Sequence, residues 1–362
     1  MITSIECSAQ KQHDLDSLIN KTYPQFNDLL FKASEESNDC LLDIYRNYLL
    51  QKAKSENNKL ERARAYYYFI TWEDFEKDLL YSDSIIEATL DSNHKKYPTN
   101  GYLIKASLYY YSGDYNNALD NFIVANKWAE EKKDRLHILE TEQGIAAIKN
   151  IWGLHDEALE IYKSSYDDIL LRPNYLEEHY DEYMTVANDL SLSYIRNKKP
   201  DSAIGIIDAA MQHAIKNQDS VTYFDLGRVQ ATANFYLKKY PQAQDSLIKY
   251  LDKHDAYELS HCYYMLGKIA QYKNEKYKTY DYFKKIDSLR QEHNDPFPEL
   301  KEVYNELYKE AGKDQEIEKQ LYFINKLIEV DSVLDLNYTN INNQMRKGYD
   351  IPKLKNEKQY LI

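Results

Sequence analysis

The chain has 362 residues, 43% of them hydrophobic, which is enough for a large core. Lys plus Arg number 46 against 59 Asp plus Glu, a net charge of −13, and this argues against a nucleic-acid surface, which needs a basic excess. Only 9 glycines and 8 prolines are present, about 5% where ~12% is usual; that excludes a turn-rich sheet protein or α/β enzyme and favours long helices with short polar links.

The first residues, numbered 1–13, carry neither a charged start nor a full apolar stretch, but Cys7-Ser8-Ala9 before Gln10 reads as a small-residue cleavage site. They are expected to be a signal-peptide remnant or a frayed tail. Residues 14–58 read as helical, with Leu41, Ile44, Tyr45, Tyr48 and Leu49 on one stripe, and should cap the N-terminal end.

A repeat occupies residues 59–334. Its clearest copy is Ser112-Gly113-Asp114-Tyr115-Asn116-Asn117-Ala118-Leu119-Asp120-Asn121-Phe122, followed by Ala125 and preceded by Ala106 and Tyr109. Small side chains at Ala106 and Ala118 let two helices cross closely, and each pair leaves an apolar face that must stack on another pair. The Ala118 register returns at Ala158 and Ala203, 40 and then 45 residues on, and at Ala243, 40 further. Backwards it falls on Asp78, which predicts a more splayed pair. Forwards it falls on Tyr280, after a helix that Leu266-Gly267 opens, and a last, weaker copy runs through Gly312-Lys313-Asp314 with Tyr322. Pro200, Pro241 and Pro298 sit at expected helix starts, where a missing N–H is harmless. Residues 335–362 turn polar and should form a terminal helix or juxtamembrane-like tail.

The Gly-Asp-Tyr turn with its small and aromatic places resembles the tetratricopeptide repeat. The resemblance implies an all-α, right-handed α–α superhelix, a solenoid of about seven helical hairpins, that binds rather than catalyses. The 36 tyrosines suit such layered packing, each burying a ring and keeping a polar tip for the seam. In the family the first helix of each pair lines a concave groove. Carried onto this register, the groove positions are Asn100, Leu103, Ser107 and Tyr110, then Glu140, Gln143, Ala147 and Asn150. They continue with Thr185, Asn188, Leu192 and Ile195, then Asp225, Arg228, Thr232 and Phe235. Asn100, Tyr110, Gln143, Asn150, Asn188, Asp225 and Arg228 are the candidate ligand-binding set, with Arg228 as the anion partner. The lysine-asparagine-arginine clamp of the chaperone-binding members is not found.

The stretch Asn325-Lys326-Leu327-Ile328-Glu329-Val330-Asp331-Ser332 and the tail Tyr349-Asp350-Ile351-Pro352-Lys353-Leu354 resemble the last repeat and juxtamembrane end of membrane-bound AraC-type transcriptional regulators. That resemblance implies a periplasmic sensor region, held to the membrane only through a downstream helix. Basic residues of the tail, Arg346, Lys347, Lys353, Lys355 and Lys358, point the other way, since such residues usually flank the cytoplasmic side. Expected partners are a protein or peptide, with self-association also open, and no direct nucleic acid.

Chemistry is not legible. The cysteines, Cys7, Cys40 and Cys262, lack the spacing of a disulfide framework or zinc site. His254 and His261 with Cys262 do not make a metal site. No nucleophile elbow, phosphate loop or dinucleotide fingerprint occurs. The reading is therefore no catalytic residue, no metal and no cofactor; a free-standing adaptor is the alternative function, and a helical enzyme the minor one. Arg196-Asn197-Lys198-Lys199 reads as a solvated loop, and the Lys268–Lys285 run of lysines and tyrosines as helix surface.

Overall fold

The computed structural model describes residues 18, 20–36, 38–251, 256–292, 297, 299–313 and 315–345. Among them the chain is all-α, without a strand. The expectations on Cys7-Ser8-Ala9, His254, Pro298, Asp314 and the tail beyond Met345 lie outside the described residues. Two compact units are present: Met1–Tyr110 with Asp120–Thr141, and Tyr111–Leu119 with Glu142–Ile362.

The first unit opens with α1 (Tyr23–Glu35), α2 (Asp39–Ser55), α3 (Lys59–Tyr67) and α4 (Phe75–Thr89). The division between the units runs through α5 (Thr99–Tyr111), α6 (Tyr115–Lys132) and α7 (Arg135–Ile151). The second unit continues with α8 (His155–Leu170), the single turn α9 (Tyr175–Glu178), α10 (Tyr180–Arg196), α11 (Pro200–Lys216), α12 (Ser220–Tyr236) and α13 (Tyr240–Tyr250). It ends with α14 (Ala256–Tyr272), α15 (Lys276–Glu292), α16 (Leu300–Lys313) and α17 (Ile317–Met345). From α3 onward the long helices follow one another as seven pairs among the described residues, with α1 and α2 before them.

The repeat register is visible in burial. Ala118, Ala158, Ala203 and Ala243 each stand fourth in the second helix of a pair, and each is fully buried, as is Ala106. Pro200 and Pro241 open α11 and α13 as expected. At α15 the fourth place belongs to Thr279, which is buried, rather than to the half-buried Tyr280 of the sequence register. Gly267 does not open a helix either. It lies inside α14, where a Cβ would stand 2.4 Å from Cε1 of Phe283. Asp78 is buried, and its carboxylate accepts N–H bonds from Thr71 (3.1 Å) and Trp72 (2.7 Å) of the preceding link. The neighbouring Ala63 and Ala65 on α3 are fully buried, so the carboxylate serves the link instead of holding the pair open.

The links explain the scarcity of glycine. Asn57, Lys133, Lys198, Gln218 and Lys238 each take a positive φ between 51° and 60°. Each is followed by a residue whose N–H reaches back five positions: Asn58 to Ala53 (2.8 Å), Asp134 to Ala129 (2.8 Å), Lys199 to Tyr194 (2.9 Å), Asp219 to Ala214 (2.9 Å) and Lys239 to Asn234 (2.8 Å). This is the Schellman closure, which satisfies otherwise orphaned helix carbonyls. Gly113 and Gly153 supply the same left-handed residue elsewhere. Asn38, Asn58, Asp74 and Asp219 then accept the N–H three residues on and start the next helix. Since a side chain at positive φ is disfavoured, Lys238→Gly should stabilise the fold by about 0.5–1 kcal/mol. A denaturant midpoint that fell instead would contradict this account of the links.

Tyrosines fill the seams. Tyr183 is buried against Tyr166, Tyr175 and the edge of His213. Tyr304 is fully buried, and both its hydroxyl and that of Tyr322 donate to Asp287 Oδ1 at 3.1 Å. Contrary to the spacing argument, Cys40 is disulfide-bonded, while Cys262 is a buried free thiol. No helix among the described residues is long and apolar enough to cross a membrane.

Candidate functional site

The seven candidate residues fall in both units. Asn100 and Tyr110, both half-buried on α5, belong to the first; Oδ1 of Asn100 has no hydrogen-bond partner. Gln143, Asn150, Asn188, Asp225 and Arg228 belong to the second, on α7, α10 and α12. Among the neighbouring register positions, Leu103 and Ile195 are core residues rather than surface.

In the second unit the first helices carry polar side chains at equivalent repeat positions. Asn150 Oδ1 lies 3.3 Å from His155 Nδ1 at the start of α8, and the Asn197 amide donates to the His155 carbonyl at 2.8 Å. Tyr162 is buried with its hydroxyl 3.5 Å from the Gln143 carbonyl. On α10 the Asn188 Oδ1 is buried without a partner. Arg228 of α12 is 9% exposed, and Asp225 one turn earlier is half-buried. On α14, His261 packs its ring 4.6 Å from that of Phe297, while Tyr264 donates to Glu302 Oε2 at 2.7 Å. Lys268 forms an ion pair with the same Glu302 carboxylate.

His155 is held below the usual histidine range by burial and by Arg196, and Glu299 acts on it in the opposite sense. Tyr236, 47% exposed at the end of α12, is pushed up by burial first, then by Glu299, against Arg196. Burial raises Asp189 to about 6, although Arg196, the Asn188 hydrogen bond and Arg228 all pull it down. Burial, then Arg228 and Arg196, push His261 down to about 3, so its imidazole is neutral across the physiological range. Asp189 and His261 are both half-buried.

Six of these groups were not in the candidate set: His155, Asp189, Arg196, Tyr236, His261 and Glu299. Arg196 is exposed to solvent as the sequence suggested, though as the last residue of α10 rather than in a loop. It stands seven residues after Asp189, two turns along the same face, and that spacing was the available signal. Among the described residues no group of three His, Cys, Asp or Glu could hold a metal ion.

The fold defines an all-α, tetratricopeptide-like repeat protein, with polar side chains on the first helices of the second unit. Among solved structures, a Rap protein complexed with competence and sporulation factor is similar over 90% of this chain and 99% of its own, with a TM-score of 0.56 and 11% identity. BtubC (BKLC) from P. vanneervenii aligns over 69% of this chain and 94% of its own, with a TM-score of 0.39 and 18% identity. At 11% identity the likeness to the Rap protein is one of fold. No protein-family model matches the sequence, and no curated protein does.

Proposed function

We propose that this chain is a non-catalytic scaffold that binds an extended peptide, or an extended segment of a protein, along the first helices of its second unit. The observation that carries this is that successive first helices, α7, α10 and α12, carry polar side chains at equivalent repeat positions (Gln143 and Asn150, Asn188, Asp225 and Arg228), with Asn188 Oδ1 left unsatisfied. An extended peptide brings one backbone donor and one acceptor per residue, and buried amides, tyrosines and an arginine can pair with them. The fold it shares with a Rap protein complexed with competence and sporulation factor is consistent with that use.

Asn188→Ala combined with Arg228→Gln should weaken peptide capture at least tenfold, as expected for losing one neutral and one charge-assisted hydrogen bond. Arg228 is 9% exposed, so its replacement also costs stability, and capture is compared at a temperature where circular dichroism shows both proteins folded. Capture by immobilised protein, followed by mass spectrometry of the eluted peptides, measures this. Unchanged capture would remove this face from consideration.

A second reading places this scaffold outside the cytoplasm as the sensor region of a membrane-anchored transcriptional regulator. The resemblance at residues 322–354 supports the regulator. Reading the gene past Ile362 tests it: a stop codon with no apolar helix and no helix-turn-helix beyond it leaves the free-standing adaptor instead.

A further inference from the structure

We propose that a cavity between α15 and α16 is a binding site for a free α-amino acid with an apolar side chain, separate from the first-helix face assigned to a peptide.

The cavity has a volume of about 170 Å³ and lies where the first two turns of α15 meet the last two turns of α16. Its floor is apolar: Phe283 and Leu307 are both fully buried. Thr279 beside them is buried too, and its hydroxyl donates to the Glu275 carbonyl at 3.2 Å. The Phe283 ring lies against Gly267 of α14, where a Cβ would stand 2.4 Å from its Cε1, and space is left between the ring and Leu307. α15 ends one helix pair and α16 opens the next, so a molecule seated there ties the last pair to the one before it.

Charge is divided across the mouth. On α16, Glu306 and Glu310 stand one turn apart, both half-buried and both lining the cavity. Lys309 donates to Oε1 of Glu306 at 2.7 Å, and Lys313 to Oε2 of Glu310. The other oxygen of each carboxylate has no hydrogen-bond partner among the described residues. On the α15 side the cavity is lined by Lys276 and by Gln271 from the end of α14. Lys276 is exposed, and among the described residues it forms no ion pair or side-chain hydrogen bond.

An apolar cavity of roughly 150 Å³ takes up benzene, so this one has room for one ring or one branched side chain and not for a run of residues. An α-amino acid carries a cation and an anion on the carbon that bears its side chain. Its ammonium can take the free oxygens of Glu306 and Glu310 through charge-assisted N–H bonds. Its carboxylate can take Lys276 and the Gln271 amide, while the side chain covers Phe283 and Leu307. An amine alone would leave Lys276 without an anion, and an organic acid alone would meet two carboxylates. The end residue of a peptide brings one of the two charges but not both.

The test titrates the full chain with L-leucine, L-methionine and L-phenylalanine by calorimetry, and then with three relatives of the best binder: its N-acetyl form, its carboxamide, and the dipeptide in which glycine follows it. The free amino acid should bind with a dissociation constant of about 0.1 mM, and each relative at least tenfold more weakly. Lys276→Gln should bring the acid and its carboxamide within about twofold of each other. Glu306→Gln combined with Glu310→Gln should weaken the free amino acid at least tenfold and the N-acetyl form less than twofold. Circular dichroism establishes that each variant is folded; should the double variant not be, Lys276→Gln decides alone, since its side chain supports no contact in the fold. No saturable binding of any of the three amino acids up to about 10 mM overturns the site. Binding that ignores both blocking groups, or a preference for acid over carboxamide that survives Lys276→Gln, overturns it as well. A dipeptide that binds as tightly as the free amino acid overturns the assignment to a free amino acid.

Discussion

Asp78→Ala should cost the first unit about 3 kcal/mol of stability, the value expected when a buried charged acceptor is removed from two backbone donors. Asp78 is 1% exposed and holds the N–H groups of Thr71 and Trp72. Trp72 takes a φ of 64° while its ring is 53% exposed, so a bulky residue sits in the left-handed region without core packing to hold it there. The carboxylate compensates for that conformation. Without it the link between α3 and α4 loses both its anchor and its reason to stay bent. Urea unfolding should report the loss, and hydrogen exchange should place it in α3, the link and α4. Asp78→Asn keeps one acceptor and should lose about 1 kcal/mol. A loss below about 1 kcal/mol for the alanine variant would show that the link is held by something else.

Gly267→Ala and Gly205→Ala should move stability in opposite directions. Both glycines lie inside helices, α14 and α11, where alanine is intrinsically better by about 1 kcal/mol. At Gly205 nothing lies within 4 Å of the added Cβ, so that gain should appear in full. At Gly267 the Cβ would meet Phe283 at 2.4 and 2.8 Å, and that ring is fully buried beside Ile286. Overpacking of this kind costs typically 1–3 kcal/mol, and here it must also undo the propensity gain; a net loss of about 2 kcal/mol is expected. Guanidinium midpoints of the two variants decide the matter. Equal stabilisation of both would mean that α14 and α15 do not approach as closely as the coordinates place them.

The all-α hairpin class was legible because close helix crossings demand small side chains, and Ala118, Ala158, Ala203 and Ala243 met that demand in register. The register failed where chemistry other than size filled the place. At Asp78 the side chain satisfies a link, so a residue too polar for a crossing is buried there. At α15 the alanine place is filled by Thr279, and the glycine that allows the approach had moved to the first helix, at Gly267.

The candidate site was less legible. Arg228 and Asn188 were reached from the repeat register alone. Asp189 was passed over as a neighbour of Asn188, and Arg196 because a basic run at a helix end reads as solvent-facing loop. His261 looked like any seam histidine. What distinguishes these residues is which charges on other helices act on them, and no single helix encodes that.

At five junctions the closure is a main-chain hydrogen bond, and a lysine or a polar amide fills the bend. Such a joint places almost no demand on the sequence beyond it. A lineage carrying this array could therefore gain or drop one helix pair by in-frame duplication or deletion without inventing a new corner. The length of the binding surface would then be free to track the length of whatever it grips.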